Sequence, residues 1–381
     1  IYGGHLSNLS IDHAVFAYGG GVTRVEGTFT GFNVVEVHDH AEARIANSIF
    51  EFNGPGQGGQ GELDRFGRGF NEPGVVFVRQ AQPVIYNNIF RNNPDADRTN
   101  TPTNPNVAVP AISINVNALN YVLKRDTGRT TGAIDRVGGY RDNQGPLILA
   151  NRLDNNEING MVVRGQTLTT QSVWDDADIV HVLLDTVYVP DFHTFGGLVL
   201  ASNATESLVV KMLDNNQNDT KQIGFVATGI PHEIDDRIGG IIQILGQPGS
   251  PVVLTSLRDD RHSAGVRLDG SPQNDTNADG DFLDPAKYPN AQAPQPGDWN
   301  SVLLDRFSHD RNVESFYEYE ARDVNSPGPN GSPDDAELLG ILAPSEYAAD
   351  ENRRLGFTVK GFLADQRDLD DDGIGDACDP D

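Results

Sequence analysis

Two stretches of the chain repeat one another at a fixed offset. "RIANSIFEFN" (44–53) aligns with "VIYNNIFRNN" (84–93) forty residues later. The paired positions are Ile45 with Ile85, Asn47 with Asn87, Ile49 with Ile89, Phe50 with Phe90, and Asn53 with Asn93. A unit this short cannot bury its apolar face alone, so copies have to stack on one another. The repeat therefore predicts a solenoid.

A third, looser copy is "LANRLDNNEING" (149–160), in which Leu149 takes the place of Ile85 and Leu153 that of Ile89. We expect apolar residues two and four apart to point into one interior, with Asn at the corners. Asn suits a corner because it tolerates left-handed backbone geometry, and its amide can bond its counterpart in the next coil.

The rest of the chain reads as short strands. Its apolar residues come in short β-branched runs such as "AISINV" (111–116) and "PVVLTSL" (251–257), separated by Gly, Pro, Asn and Asp. With 41 Gly and 22 Pro in 381 residues, turns are frequent and long helices few. An all-β fold follows. A β-sandwich or tandem immunoglobulin-like domains remain alternatives to the solenoid.

The repeated residues resemble the coils of right-handed parallel β-helices of the pectate-lyase-like kind. This resemblance implies a solenoid over residues 1–325, with inserts near 54–74, 94–110 and 261–298. A connector with short helices would follow at 326–364, where "DDAELLGIL" (334–342) has helical periodicity.

Residues 160–320 also resemble, as a block, a region of very large secreted proteins from planctomycete-type bacteria. The phrases that carry this resemblance include "SVWDDADIVHVL" (172–183), "VPDFHTFGGLVL" (189–200) and "PGDWNSVLLDRFSHDRNV" (296–313). It implies a fold and an extracellular location, but no chemistry.

Composition narrows the possible partners. The net charge of −27 argues against nucleic-acid binding, which needs a clustered basic surface. The single cysteine cannot form an internal disulfide, and no apolar run is long enough to span a membrane. Such acidity is typical of a solvated surface or of calcium binding. The chain begins directly with strand-like residues, as a piece of a longer protein would.

The C-terminal stretch "DLDDDGIGDACDPD" (368–381) has the strongest local signal. It resembles a thrombospondin type 3 repeat, and this resemblance implies calcium binding by alternating carboxylates around Gly373. The implied ligands are Asp368, Asp370, Asp372, Asp376 and Asp379. In that family Cys378 would pair with a cysteine of a neighbouring repeat. A plain acidic tail is the alternative.

A second acidic stretch, "DTNADGDFLDPA" (275–286), begins like an EF-hand calcium loop. Its ligand candidates are Asp275, Asn277 and Asp279, and Asp281 and Asp284 could complete a looser cage. Position 12, which should be a bidentate Glu, is Ala286, so the motif is incomplete. The alternative is an acidic turn in a long insert.

Two Asp-Asp-Arg clusters are weak catalytic candidates, because paired carboxylates can act on glycans and an arginine can serve a lyase. Their residues are Asp235, Asp236, Arg237, Asp259, Asp260 and Arg261. Surface turns between coils explain the same residues. His38 and His40 in "VHDH" alternate as metal ligands would, but a third ligand cannot be placed.

Together these features favour a structural segment of a large secreted or cell-surface protein: a stalk, adhesin or filament building block with calcium-stabilised loops. Its expected partners are neighbouring copies or modules of the same protein, and glycans. Two alternatives remain open. One is a β-helix polysaccharide lyase or glycoside hydrolase that acts on acidic glycans, and the other is a non-catalytic glycan-binding module.

Overall fold

A computed structural model describes the ranges 7–25, 28–38, 41–54, 73–93, 109–126, 143–165, 167–190, 197–213, 223–229, 239–305, 315–316 and 358–359, and the single residues 128, 138, 140 and 308. Most of the inserts predicted near 54–74 and 94–110, the connector 326–364 except 358–359, and the C-terminal repeat lie outside the described residues.

The described strands follow one another in coils of three. The first four coils are β1 (Asn8–Asp12), β2 (Val15–Ala17) and β5 (Val35–His38); β6 (Glu42–Ala46), β7 (Ile49–Glu51) and β8 (Val76–Arg79); β9 (Val84–Tyr86), β10 (Ile89–Arg91) and β11 (Pro110–Asn115); and β12 (Leu147–Leu149), β13 (Arg152–Asp154) and β14 (Ile158–Arg164). Within the first coil, β3 (Gly21–Val25) and β4 (Thr28–Phe32) form an antiparallel hairpin.

Three further coils continue the pattern. They are β15 (Ser172–Trp174), β16 (His181–Leu183) and β17 (Val187–Pro190); β18 (Gly197–Ala201), β19 (Val209–Met212) and β20 (Gly224–Thr228); and β21 (Ile241–Leu245), β22 (Val253–Ser256) and β23 (Ser301–Leu304). An antiparallel pair, β24 (Ser315–Phe316) with β25 (Thr358–Val359), lies outside this series. The helix among the described residues is one 3₁₀ turn, Val116–Ala118.

Equivalent strands of successive coils stack into sheets. Stack A contains β1, β6, β9 and β12, and stack B contains β2, β7, β10 and β13. Stack C runs through all seven coils as β5, β8, β11, β14, β16, β19 and β22. Stack D (β15, β18, β21) and stack E (β17, β20, β23) occur only in the last three coils.

The pairing within stacks A to D is parallel, which confirms the predicted fold class: an all-β chain wound as a parallel β-helix. Coil length varies widely. Met161 of β14 pairs with His181, 20 residues later, whereas Ile112 of β11 pairs with Met161, 49 residues later. Long loops are therefore inserted between strands without disturbing their stacking.

The chain forms two compact units. The first comprises Ile1–Val189, Thr194–Ala227 and Ile241–Leu303, and it holds stacks A to D and most of stack E. The second comprises Pro190–His193, Thr228–Gly240 and Leu304–Asp381, and its described residues include the β24–β25 pair.

The repeat that predicted the solenoid is in register. Ile45 pairs with Ile85, and Phe50 pairs with Phe90 in the adjacent coil. The rings of Phe16, Phe50 and Phe90 form a stacked ladder with centroids 4.9 Å apart. This distance matches the strand spacing of a sheet, so identical side chains repeat at the period of the backbone.

The corner residues have the predicted left-handed backbone geometry, and this geometry changes which side chains point inward. Asn47 and Asn87 adopt left-handed backbone geometry, with φ of 50° and 52°. Each corner resets the alternation, so Ile45 and Phe50 point inward while Ile49 is half-exposed. The expectation that Ile45 and Ile49 share one interior is therefore wrong.

The register predicted for the third copy is also wrong, by one residue. Leu149 pairs with Tyr86 rather than Ile85, and it is Phe90, not Ile89, that pairs with Leu153. A slip of one residue turns a strand's side chains to the other face. Burial decides the register, because Ile148 and Leu153 fill the interior whereas Leu149 is half-exposed.

Buried side-chain amides join the corners of successive coils. The amide of Asn88 accepts a hydrogen bond from the N–H of Ser48 at 3.0 Å and donates one to the carbonyl of Ile45 at 2.9 Å. Its own N–H donates to Oδ1 of Asn151, one coil further on. A second ladder links Asn53, Asn93 and Asn156 in the same way. The ladders satisfy backbone groups where strand pairing stops.

We predict that Asn88→Ala destabilises the protein by about 2–4 kcal/mol, because it leaves the buried N–H of Ser48 and carbonyl of Ile45 without partners. Denaturant titration measures this as a lower free energy of unfolding. The control is Asn8→Ala on the exposed face of β1, which should change stability by less than about 0.5 kcal/mol. Equal effects of the two substitutions would contradict the role of the ladder.

Candidate metal centre

A long segment between β22 and β23 folds back onto the solenoid. We call residues 257–300 the fold-back loop. Its base is closed by Ser256 and Asp298, because the Ser256 hydroxyl donates to Asp298 Oδ2 at 2.6 Å and the N–H of Gln295 donates to the same oxygen at 3.0 Å. The insert predicted near 261–298 falls within this loop.

The loop covers the outward face of stack C. Val162 of β14 and Val182 of β16 are buried there and pack with Leu257 and Ala264 of the loop. These residues belong to a second apolar cluster, apart from the main core. Strands β14, β16 and β19 are therefore buried on both faces along almost all of their length.

Backbone contacts attach the loop to the end of an amide ladder. Asn156 donates its N–H to Oδ1 of Asn159, and Asn159 in turn donates its side-chain amide to the carbonyl of Asp275 at 2.9 Å. The N–H of Asn159 donates to the carbonyl of Thr276 at 2.7 Å. The loop thus continues the ladder that joins the coils.

Lys211 of β19 reaches the loop from stack C. Its side chain is buried, and Nζ donates to Thr276 Oγ1 at 2.8 Å and to the carbonyl of Asn274 at 3.2 Å. Burial lowers the pKa of Lys211 to about 8, against the opposing effect of the carboxylates of Asp260, Asp259 and Asp275. A buried cation therefore faces this side of the loop.

The backbone of the acidic stretch turns sharply at its centre. Ala278 and Gly280 have φ of 56° and 103°, and the N–H of Gly280 donates to Asp275 Oδ2 at 3.2 Å. A Cβ at Gly280 would lie 2.5 Å from the ring of Tyr288, so this position requires glycine for space as well as for its φ. The turn brings the backbone of Gly280 back to the carboxylate of Asp275.

Four side-chain oxygens in this region are buried and accept no hydrogen bond from the described residues. They are Asp260 Oδ1, Asp275 Oδ1, Asn277 Oδ1 and Asp279 Oδ1. The other oxygen of each carboxylate accepts a backbone N–H, from Phe282, Gly280 and Gln292 respectively. Buried polar atoms normally have a partner, and hard cations such as Ca²⁺ take oxygen ligands.

The charges of these carboxylates are compensated in part by Lys211 and by Arg267, whose guanidinium lies 3.9 Å from Asp275 Oδ2. Burial raises the pKa of Asp260 to about 7, and repulsion by Asp275 and Asp279 adds to this rise, against the effects of the Phe282 N–H and Lys211. Burial likewise raises the pKa of Asp275, against the effects of the Gly280 N–H and Arg267 and with a smaller contribution from Asp279 in the same direction. Burial of these two carboxylates therefore disfavours their charged forms.

Within the described ranges, no three His, Cys, Asp or Glu side chains form a cluster that holds a metal by themselves. Asp260, Asp275 and Asp279 are thus not gathered closely enough to hold an ion without a shift of their side chains. Calcium loops also use amide and backbone carbonyl oxygens, such as that of Asn277, which are outside this set of residue types. The donor set fits a cage of mixed oxygens.

The other predicted metal ligands stand apart from this group or outside the described residues. Oδ1 of Asp281 accepts the N–H of Leu283 at 2.8 Å, and Asp281 is not among the residues with an unpartnered buried oxygen. His38 is buried beside Phe77, 5.2 Å between ring centroids, and His40 is not described. The ligands predicted at 368–379 also lie outside the described residues.

The catalytic candidates in the loop have separate surroundings. Asp259 accepts hydrogen bonds from Thr255 and pairs with His262 Nδ1 at 2.6 Å, whereas Asp260 faces Phe282. The guanidinium of Arg261 lies 5.1 Å from the ring centroid of Phe282. The second cluster, Asp235, Asp236 and Arg237, is not described.

Sequence reasoning placed Asp260 in a catalytic pair and did not single out Lys211. The motif at 275–286 contains neither residue, and their contacts with it span 22 and 65 residues along the chain. The one available signal in the sequence was Ala286, which occupies position 12 of the motif and cannot supply a ligand.

Comparisons with protein-family models, with curated proteins and with solved structures found no match. In the part of the chain that the structure describes, no helix is long and apolar enough to cross a membrane. The function is therefore argued from the geometry of the fold-back loop and the solenoid.

We predict that, in chelator, the melting temperature of the protein falls relative to that of Asp260→Asn as the pH rises from 5 to 8. The pKa of Asp260 is about 7 in the folded protein against 3.8 for the free group. Protonated Asp260 therefore contributes its full stability below pH 3.8, and this contribution is lost as the pH rises through about 7. The difference between the two proteins isolates this group. A difference that does not vary with pH would contradict the raised pKa.

Proposed function

We propose that the chain is a structural segment of a large secreted or cell-surface protein, in which calcium holds the fold-back loop closed against the β-helix. The single observation that carries this proposal is the set of four buried oxygens that lack hydrogen-bond donors. Three of them belong to the D-x-N-x-D-G spacing that begins at Asp275.

The solenoid supports a structural role. Its stacks are continuous, and ladders of Phe and Asn side chains tie each coil of the first half to the next. In such an architecture each unit contacts its neighbours only, and this suits a stalk or filament. The resemblance of residues 160–320 to a region of large secreted bacterial proteins also supports this proposal.

The geometry offers less support for a glycan lyase or hydrolase. Asp259 and Asp260, which would have to act together, bind different partners, and Asp260 is fully buried. We therefore place Asp260 with the calcium loop and prefer the structural proposal to the catalytic one.

Calcium should raise the melting temperature, and excess EDTA should lower it. A ligand bound only to the folded state adds about 2.7 kcal/mol when its concentration is roughly a hundred times its Kd. Calorimetric scans with calcium, with magnesium and with EDTA measure the effect. Magnesium should stabilise less, because it demands a smaller, near-octahedral set of ligands.

Two matched variants locate the effect. Asp279→Asn removes one charge from the proposed cage and should abolish most of the calcium-dependent rise. Asp284→Asn removes the same charge from an exposed position of the same loop and should leave that rise intact. If calcium leaves the melting temperature of the unmodified protein unchanged, the proposal fails.

The C-terminal repeat is tested separately. We expect Asp372→Asn to weaken a second class of calcium sites, because alternating carboxylates in this stretch would bind the ion in the manner of thrombospondin type 3 repeats. Isothermal titration of this variant beside Asp279→Asn distinguishes the two sites. Loss of all calcium binding in Asp279→Asn alone would contradict a site at 368–379.

A further inference from the structure

Asp260 is the most deeply buried of the four residues with unpartnered oxygens. Its side chain has 0% exposure, and Oδ1 accepts no hydrogen bond from the described residues, while Oδ2 accepts the N–H of Phe282 at 3.0 Å. Phe282 lies within the acidic stretch, so Asp260 is held directly against it from outside.

The chain before Asp260 is fixed to the solenoid. The N–H of Leu257 donates to the carbonyl of Met212 at 2.7 Å, which extends the pairing of stack C beyond the end of β22. The N–H of Asp259 donates to the carbonyl of Ser256 at 3.0 Å. The position of Asp260 is therefore set by β22, whereas the acidic stretch is positioned by the rest of the fold-back loop.

The acidic stretch lacks one ligand of a complete calcium loop. Such a loop takes side-chain ligands at positions 1, 3 and 5, a carbonyl at position 7 and a bidentate Glu at position 12. Here Asp275, Asn277 and Asp279 occupy the first three positions, and Ala286 occupies the last. A buried carboxylate supplied from elsewhere would complete the set.

We infer that Asp260 is the calcium ligand that replaces position 12, so that the ion joins the acidic stretch 275–286 to the start of the fold-back loop, just after β22, and keeps the loop closed over stack C. This inference rests on the proposed function, since it assigns a further ligand and a consequence to the same site. Asp275, Asn277 and Asp279 supply the other side-chain ligands of the same ion.

The contacts beneath the loop explain why closure depends on the ion. The apolar cluster that the loop shares with stack C is small, and it contains only Leu257 and Ala264 from the loop. Each hydrogen bond from Asn159 and Lys211 adds a modest net amount. The N–H of Leu153 also donates to the carbonyl of Val266 in the loop at 3.1 Å. Against these contacts, the buried carboxylate oxygens of Asp260, Asp275 and Asp279 oppose closure when no cation is bound, so we expect the loop to open locally once the ion is lost.

Loss of the ion would uncover a defined surface. The outward side chains of stack C beneath the loop are Val162, Val182 and Lys211, which share one row of the sheet. They are buried when the loop is closed. From the loop, only the partly buried Trp299 packs against the main core on the other face of these strands, so we expect the solenoid itself to stay folded.

Hydrogen exchange and calcium titration of Asp260→Asn test the inference. We expect its calcium affinity to fall about tenfold or more, as for Asp279→Asn, because both changes remove a charged ligand. In calcium, amides of 261–298 in Asp260→Asn should exchange about tenfold faster than in the unmodified protein. Amides of β8 and β11 should be unchanged, which shows that the variant is folded.

Two controls sharpen the result. Asp284→Asn, exposed and in the same loop, should keep both the calcium affinity and the slow exchange of the unmodified protein. Asp260→Glu keeps a carboxylate and should retain part of the affinity that Asp260→Asn loses.

The outcomes separate this inference from the proposed function. If Asp279→Asn loses calcium binding but Asp260→Asn keeps it, the assignment of Asp260 is overturned and the calcium loop stands. If calcium binds without slowing exchange in 261–298, control of closure by the ion is overturned. If no calcium binds to the unmodified protein, both proposals fall.

Discussion

In-register stacking of coils is the constraint on which the rest of the structure depends. Each short strand directs half of its backbone groups to the coil above and half to the coil below, so every coil needs its neighbours. At the corners, where strand pairing stops, buried amides such as Asn88 and Asn93 take over the bonding. The sequence repeats because the same backbone problem recurs in each coil, and Asn is the residue that both adopts and bonds such a corner.

The fold-back loop is attached by the same kind of bond, at the point where stacks A and B end. Of the first three stacks only stack C continues into the later coils, and the loop covers part of its outward face. The amide ladder passes through Asn159 into the backbone of Asp275. The acidic residues thus lie at the end of the ladder, where the proposed cation would join them to Asp260 at the start of the fold-back loop.

How far the sequence predicts this structure depends on the distance between partners. The 40-residue repeat indicated the solenoid and the pairing of Ile45 with Ile85, since identical residues recur in register. The third copy was placed one residue off because its letters match either way, and only burial of Ile148 decides. The motif at 275–286 was visible because its residues are adjacent. Asp260 was not recognised as part of the site, because no local pattern connects it to that loop.

The central claim is that one cation is shared by Asp260 and the acidic stretch. A crystal structure of the protein grown in calcium, with the anomalous difference map of the ion, tests it most directly. The account predicts one peak about 2.3–2.6 Å from Oδ1 of Asp260, Asp275, Asn277 and Asp279. A closed loop without a peak at saturating calcium, or a peak whose ligands exclude Asp260, would contradict it.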